Sequence, residues 1–297
     1  MPSYKTHSIH GEVILPNIPK EVEINVEDMK KYCMGPDTIV TTDYETFELQ
    51  HRKRVKDYFE TLLSMIKKNK LQDNSEIVAF LYGQLDHYVL DSTMHPLIYY
   101  MTENLPDKHM IDNHSLVEMW IDDYVKAKYN KDDVVYYKKV FSTNDKLNKL
   151  INRLYHKVYN VKNASLKYNV GSLIIVLFDT LVRHNLIQIV PVVDKAIDMG
   201  DIIYKDSVQR ELPYLNLGHD KWYNPETHER CTESFDDLWD KSINISLETM
   251  EDVNNCLYKD KPLKNRLISN DISYNTGLSC SVGQKKKYLK KYKKNKV

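Results

Sequence analysis

Apolar residues recur every three or four positions over most of the chain, which is the repeat of one face of an α-helix. β-Branched residues alternating with polar ones are sparse, so we expect no real sheet. The predicted helices cover about residues 48–70, 76–95, 113–128, 144–161, 171–185, 190–204 and 234–257. Ser75 is the expected N-cap of the second of these helices, and Pro96 is expected to bend or end it.

Two stretches lack this repeat. Residues 1–45 combine Pro-bounded pieces with a turn around Gly35-Pro36, and residues 214–234 have the composition of a long loop. No internal repeat or Pro/Gly/Ser-rich linker divides the chain. The sequence therefore predicts an all-α fold, with one multi-helix domain over residues 1–283 and a Lys-rich tail over 284–297 that is disordered or a frayed helix.

The composition narrows the possible classes of protein. With 42% hydrophobic and 28% charged residues it is typical of a globular chain, and only 8 of 297 residues are Gly, which excludes collagenous and Gly-rich architectures. Neither GxGxxG nor GxxxxGK[ST] occurs, so the usual glycine loops for phosphate are absent. Basic and acidic residues balance at 42 each, but residues 284–297 hold eight Lys and no acid, which leaves a net charge of −8 on residues 1–283.

The cysteines and the N-terminus bear on location. The 4 cysteines are scattered and form no CxxC pair, which indicates reduced thiols. The N-terminal residues lack the apolar core of a secretory signal. The longest apolar stretch, Val170–Phe178, is nine residues long and too short to span a bilayer. We expect a cytoplasmic protein without a transmembrane segment.

The candidate chemistry lies on the helix that contains His87, Asp91 and His95. These residues stand at positions i, i+4 and i+8, so their side chains fall within about 80° of one another and form one polar stripe on an apolar helix. Burying them without partners would cost several kcal/mol, and metal ions are natural partners for imidazole with carboxylate. His114 and Glu118 repeat the i, i+4 spacing. For either His–carboxylate pair alone, a hydrogen-bonded contact is the simpler interpretation.

Three further segments change this balance: THSIHGE near the start, the GPD turn, and the LQHRKR segment. Taken in order along the chain, the segments resemble the zinc-dependent phospholipase C family and its all-helical superfamily, which includes zinc-dependent single-strand nucleases. The resemblance covers residues 1–130 and, more loosely, 210–250. The matching residues are His7, Asp37, His51 early on its helix, the G-x3-H-x3-D-x3-HP helix (Gly83, His87, Asp91, His95, Pro96) and the H-x3-E helix (His114, Glu118).

The resemblance implies two or three zinc ions, two of which share the carboxylate of Asp91. One zinc would bind Asp37, His51, His87 and one oxygen of Asp91. Another would bind His7, the second oxygen of Asp91 and the N-terminal amine. A shared carboxylate of this kind holds two ions about 3.5–4 Å apart, as in two-metal phosphoesterases.

The remaining ion would bind His95, His114 and Glu118 and keep open positions for water, as catalytic zinc sites do. The terminal amine is a departure from the family pattern, because the chain opens Met1-Pro2 instead of on an aromatic residue. Removal of Met1 would place the Pro2 amine five residues before His7, and without that removal the third zinc loses its terminal ligand.

The implied activity is phosphodiester hydrolysis of the phospholipase C type, with Asp37 and Asp91 as the candidate catalytic residues. A metal-bridged hydroxide would attack phosphorus and release diacylglycerol and a phosphorylated headgroup. A zinc-dependent nuclease or other phosphoesterase on the same centre is an alternative. A zinc-stabilised helical binding module without turnover is another.

The expected partners are a phosphodiester substrate, in particular a phospholipid, and an anionic surface for the Lys tail. Near a charged membrane each Lys contributes about 1 kcal/mol, and nucleic acid would serve a Lys-rich segment as well. A solvated tail without a partner is an equal alternative. The remaining histidines are expected to be surface or core residues: His10, His109, His156, His184, His219 and His228.

Overall fold

The computed structural model describes residues 4–19, 21–103, 113–131, 140–142, 144–183 and 213–285. The elements in chain order are α1 (Tyr4–Ile14), a 3₁₀ turn (Leu15–Asn17), α2 (Val26–Tyr32), a 3₁₀ turn (Gly35–Ile39), α3 (Tyr44–Arg52), α4 (Val55–Lys68), α5 (Ser75–Glu103), α6 (Asn113–Lys128), α7 (Asp145–Tyr159), α8 (Ala164–Arg183), a 3₁₀ turn (Pro213–Leu215), β1 (Trp222–Tyr223), β2 (Arg230–Cys231), α9 (Phe235–Tyr258) and α10 (Arg266–Ser269).

The all-α prediction is confirmed. In the described residues, strand structure is confined to the short antiparallel pair of β1 with β2, in which Trp222 lies opposite Cys231, and to one bridge between Ile272 and Ser279. No described helix combines the length and the apolar character needed to cross a bilayer. The predicted helix at 190–204 and most of the Lys tail lie outside the described residues.

Helix α5 is the centre of the structure. Apolar residues occur on all its sides, which is the pattern of a helix buried all round, and α1, α2, α6 and α9 pack against it. Of the two outcomes expected at Pro96, a bend or an end, the helix end does not occur, because α5 continues to Glu103. The turn after Pro96 is held by burial, because Leu97 and Ile98 pack into the apolar cluster that contains Trp120 of α6.

Two apolar clusters divide the core along α5. One joins the first half of α5 to α4 and α7 through residues such as Phe59, Leu62 and Tyr155. The other joins the second half of α5 to α6 and α9, and Trp120 and Trp239 are buried in it. The polar stripe of α5 lies where these clusters meet, so it is enclosed by well-packed apolar side chains.

The helix predicted over 48–70 is wrong in one respect, because the structure has two helices there. The helical conformation is interrupted between α3 and α4 at Arg54, whose φ of 62° is left-handed and incompatible with a continuous helix. His51 consequently lies in the last turn of α3 instead of early on a longer helix. The break lets α4 turn away into the apolar core while His51 remains at the site.

The first two helices were missed by the hydrophobic pattern. α1 buries polar side chains, including Thr6, His7 and His10, so the repeat of apolar residues is weak there. α2 has only seven residues, too few for a repeat to be recognised. A helix that buries polar groups lacks the apolar stripe by which a helix is recognised in a sequence.

Two expected helix starts also need correction. The cap of α5 is Asn74 instead of Ser75, since the Asn74 side chain accepts a hydrogen bond from the Ile77 N–H at 3.1 Å. α8 begins at Ala164 and not near residue 171. The start of α9 agrees with the prediction, and Ser234 and Asp237 form a reciprocal capping box there.

Gly171 sets the distance between α8 and the turn that carries Asp37. A Cβ atom at Gly171 would lie 1.7 Å from the backbone oxygen of Thr38, so only glycine allows this approach. We expect Gly171→Ala to lower the free energy of unfolding by about 1–3 kcal/mol, because overpacking forces the backbones apart. Gly218→Ala is the matched control, since its Cβ would meet only Asp220 Oδ2 at 3.8 Å. Equal denaturation midpoints for the two variants would contradict this.

Candidate metal centre

The structure brings all eight predicted ligands into three groups, two of which share His87, and within each group the donor atoms lie within 4.8 Å of one another. The groups draw on five segments that are far apart in sequence: α1, the 3₁₀ turn at 35–39, α3, α5 and α6. The three groups are His7, His87 and Asp91; Asp37, His51 and His87; and His95, His114 and Glu118.

Asp37, His51, His87 and Asp91 form what we call the first cluster, which is the most enclosed part of the site. His51 Nε2 lies 3.2 Å from Asp37 Oδ1 and 3.5 Å from Asp91 Oδ2. His87 Nε2 lies 3.1 Å from the same oxygen of Asp91 and 3.8 Å from Asp37 Oδ1. These separations are close to the ~3.4 Å between neighbouring ligands of a tetrahedral zinc ion with bonds of about 2.0–2.2 Å.

The second cluster contains His95 of α5 and His114 and Glu118 of α6. Glu118 Oε1 lies 3.1 Å from His114 Nε2 and 3.6 Å from His95 Nε2. His95 Nε2 is also 3.8 Å from Asp91 Oδ1, which connects this cluster to the first. The His114 side chain is 15% exposed while Asp37 and His87 are at most 1% exposed, so this cluster is the one that solvent reaches most readily.

His7 lies beside both clusters. Its Nε2 is 3.2 Å from Asp91 Oδ1, and its ring stacks on His87 at 4.0 Å between centroids. The first three residues lie outside the described part of the chain, so the amine proposed as a companion ligand is not placed. The two oxygens of Asp91 therefore face different histidines: Oδ1 faces His7 and His95, and Oδ2 faces His51 and His87.

Backbone carbonyls orient three of the imidazoles. The Nδ1 atoms of the three rings make hydrogen bonds to backbone oxygens, with His51 paired to Phe47 at 2.8 Å, His87 to Cys33 at 3.0 Å and His95 to Tyr274 at 2.8 Å. A carbonyl can only accept, so each ring donates through Nδ1. Each Nε2 is thereby directed at the carboxylates, and outer contacts of this kind are what fix the tautomer of a metal-binding histidine.

Tyr274 is the residue that sequence analysis missed. Besides accepting from His95, its backbone N–H donates to the His51 carbonyl at 3.1 Å, and the Ser273 hydroxyl donates to the same oxygen at 2.9 Å. Its ring packs against His51 and Tyr88. The segment acts mainly through main-chain atoms, which carry no signature in the sequence.

The electrostatics of the cluster call for positive charge. Burial alone would lower the pKa of His51, but Asp37 and Asp91 outweigh it and raise that pKa to about 10. His95 shows the same opposition, and its pKa rises to about 9 beside Asp91 and Glu118. Burial would raise the pKa of Asp91, yet the neighbouring imidazoles hold it well below its usual range. Buried carboxylates are thus compensated by protonated imidazoles, a role that a metal ion can take instead.

The unsatisfied atoms fit a cation at the first cluster. Both carboxylate oxygens of Asp37, Asp91 Oδ2 and His87 Nε2 are buried and have no hydrogen-bond partner of acceptable geometry. Such atoms are rare in folded proteins because each costs about 1–3 kcal/mol or more. Imidazole nitrogen with carboxylate oxygen is a donor set that suits Zn²⁺. These residues are therefore suited to hold the metal that the sequence implies.

His109 and His184 lie outside the described residues, and none of the other described histidines belongs to the three groups. His10 is fully buried but faces away, and its ring nitrogens pair with Asp86 at 2.8 Å and Ser242 at 2.9 Å. His219 is an exposed side chain beside Asp237 on the capping turn of α9. Both fit the expectation of a core or surface histidine.

Removing the metal is expected to destabilise the fold. Without it, three carboxylates share one buried cleft and repel one another. We expect the purified protein to hold at least two zinc ions by elemental analysis. Complete chelation should lower the melting temperature by roughly 10 °C or more, at about 2–4 °C per kcal/mol for a large domain. An unchanged melting temperature with zinc verifiably removed would contradict this expectation.

Gly277 tests the role of the Tyr274 segment. Its φ is +65°, and a Cβ there would lie 2.7 Å from the Ser92 carbonyl oxygen of α5. We expect Gly277→Ala to displace the segment and weaken zinc retention about tenfold or more in competition with a chelator, as for other outer contacts of metal ligands. Gly283→Ala is the control, because Gly283 has a similar φ of +70° and open space around it. Equal retention by both variants would show that the segment does not orient His95.

Comparison with known proteins agrees with this geometry. The family model for zinc-dependent phospholipase C matches residues 6–164, which is more than half of the chain and includes all eight clustered residues. Searches among curated proteins and among solved structures give no significant match. With its all-helical fold and its buried histidine–carboxylate clusters, the chain belongs to the zinc-dependent phospholipase C family.

Proposed function

We propose that the protein is a zinc-dependent phosphodiester hydrolase of the phospholipase C type, and that the eight clustered residues are its metal ligands. The observation that carries the proposal is the position of Asp91. Its two oxygens face separate histidine pairs within 3.8 Å, so one carboxylate can serve two ions. Zinc, when bound, would supply a nucleophile at neutral pH and neutralise charge on a phosphoryl oxygen.

The chain's own residues divide this work. Asp37 and Asp91 supply the negative charge of the enclosed cluster, and the backbone carbonyls of Cys33 and Phe47 hold its histidines in one tautomer. Fixed orientation of this kind avoids reorganisation when charge develops in the reaction. The apolar clusters on either side exclude water from the buried flank of the centre.

The substrate is expected to approach the cluster on α6. His114 is the most exposed of the side chains in the three groups of ligands, whereas the cluster around Asp37 is almost completely enclosed. Tyr99 stacks on His95 and on His114 at centroid distances of 5.2 and 4.8 Å, which forms an aromatic wall beside this cluster. A phosphate group presented from this side would contact the cluster before any other part of the centre.

A phospholipid substrate is favoured by the family, and a nuclease or another phosphoesterase is the main alternative. All three activities would use the same metal ligands, and none of the described residues is assigned to a choline headgroup or to a base. A zinc-stabilised binding module without turnover differs from both, because it would hold metal and hydrolyse nothing. Reaction of the purified protein with a generic phosphodiester, phosphatidylcholine and single-stranded DNA distinguishes these three outcomes.

Three further points stand as proposals. One domain extends over residues 1–283, the Lys-rich segment at 284–297 forms a separate tail, and the protein works in the cytoplasm. The reduced state of the cysteines supports the last point, since all four are free in the structure.

We expect Asp91→Asn to abolish phosphodiesterase activity while most of the helix content remains. An amide oxygen carries no net charge, so it cannot compensate two cations as the carboxylate does. Turnover should fall at least about a thousandfold, comparable to the loss of a main electrostatic contact in other active sites. The assay is hydrolysis of bis(p-nitrophenyl) phosphate, with zinc content and circular dichroism measured on the same sample.

Asp86→Asn is the matched control. It makes the same chemical change on the same helix, at a buried carboxylate that faces His10 and Ser246 instead of the cluster. His219→Ala adds a control at an exposed histidine. If Asp91→Asn keeps wild-type turnover, or if Asp86→Asn loses as much as Asp91→Asn with its fold intact, the assignment of the reaction to this carboxylate is wrong.

A further inference from the structure

Helix α7 exposes a row of cations. Lys146, Lys149, Arg153 and Lys157 follow one another at helical spacing, and all four side chains are exposed. At 100° per residue they fall within about 80° of one another. None of the four side chains makes an ion pair with another described residue. The helix contains one acidic residue, Asp145, which is its first residue.

Helix α8 exposes a row of apolar side chains. Leu166, Ile174 and Leu177 are 61%, 36% and 50% exposed, although α8 buries its opposite side through Tyr168 and Ile175. The spacing of eight and three residues puts the three side chains on one side of the helix. Single exposed apolar residues are ordinary, but an aligned row on one helix marks a contact surface.

The two rows lie on neighbouring helices. α7 and α8 pack against each other, and Asn152 and Ser165 are joined by two hydrogen bonds of 2.9 and 3.0 Å. The connection between the helices is short, so they pack antiparallel, and each row lies away from the buried side of its own helix. We call these four cations and three apolar side chains the α7–α8 surface.

The charge of this surface is opposite to that of the chain around it. Residues 144–167 contain six basic residues and one acid, whereas residues 1–283 as a whole carry a net charge of −8. A cationic row that pairs with no acid among the described residues attracts anionic partners to this one part of an acidic domain. The partner is therefore expected to be negatively charged.

The apolar row decides between anionic partners. Nucleic acid is bound by cations together with aromatic stacking or hydrogen bonds, and exposed leucine and isoleucine would gain nothing from phosphates. An anionic bilayer satisfies both rows, because lysines interact with headgroups while apolar side chains enter the acyl boundary. We propose that the α7–α8 surface docks the protein on an anionic phospholipid membrane.

The position of α8 connects this surface with the metal centre. The buried side of α8 contacts the turn that carries Asp37, where Gly171 lies against the Thr38 carbonyl. Docking would hold this turn about one helix diameter, or roughly 10 Å, from the membrane. Docking would thus hold the protein on a membrane without setting the side from which substrate enters the centre. It rests on the proposed phospholipase function for its purpose but requires no turnover.

The test is cosedimentation of the full-length protein with phosphatidylcholine vesicles that contain or lack phosphatidylserine. The wild type should bind the phosphatidylserine vesicles and lose binding as salt is raised. A variant with Gln at Lys146, Lys149, Arg153 and Lys157 should partition at least about tenfold less, since each Lys or Arg near an anionic surface contributes to binding. Leu166→Ser combined with Leu177→Ser should weaken binding at high salt as well.

The charge-matched control places Gln at four exposed cations of another region: Lys259, Lys261, Lys264 and Arg266. That variant has the same net charge and no exposed apolar row, so it should bind within about twofold of the wild type if location matters more than net charge. A second variant with Gln at Lys286, Lys287, Lys290 and Lys291 measures the share of the tail. Melting temperatures of all variants confirm folding.

Several outcomes would overturn the proposal: no binding to either vesicle, equal losses in the α7 variant and in the charge-matched control, or loss of single-stranded RNA binding in the α7 variant with vesicle binding unchanged. Asp91→Asn separates docking from catalysis. If that variant still sediments with vesicles in the manner of the wild type, docking stands independently of hydrolysis. If the α7 variant binds vesicles normally while Asp91→Asn is inactive, the phospholipase function stands and the docking surface is wrong.

Discussion

The burial of the Asp91 carboxylate among four imidazoles is the interaction on which the rest of the site depends. A buried carboxylate is tolerated only with compensating positive charge and with hydrogen-bond partners. Here three carboxylates are buried together, so local compensation must come from protonated histidines or from metal. The chain meets this demand by bringing five segments to one place, and the positions of α1, α3 and α6 relative to α5 follow from it.

The same demand explains why backbone carbonyls orient three of the histidines. An imidazole that faces a cation must present a bare Nε2, which fixes the proton on Nδ1. Carbonyls of Cys33, Phe47 and Tyr274 accept that proton's hydrogen bond in three separate parts of the fold. Because carbonyls do not titrate, the tautomers are held whatever happens to nearby side chains. The close packing of Gly171 and Gly277 positions two of the segments involved.

The all-α architecture could be predicted from the sequence, whereas the ligand set needed the family resemblance. The i, i+4 spacing put the polar residues of α5 and of α6 on one side of each helix, but by itself it left a hydrogen-bonded His–carboxylate pair as the simpler interpretation. The break at Arg54 and the polar helix α1 were missed, since a left-handed residue and a buried polar face leave no apolar repeat. Tyr274 could not be found at all, because it acts through its backbone and lies 179 residues from His95 in sequence.

Two buried carboxylates on α5 show both interpretations that a His–Asp pair leaves open. Asp86 and Asp91 are five residues apart, so their side chains point about 140° away from each other. Asp86 pairs with His10 and accepts from Ser246 and Cys33, which leaves no oxygen without a partner. Asp91 Oδ2 has no hydrogen bond of acceptable geometry although His87 and His51 lie within 3.5 Å. Both carboxylates are buried beside histidine, so the unsatisfied oxygen is what separates a candidate metal ligand from a structural hydrogen bond.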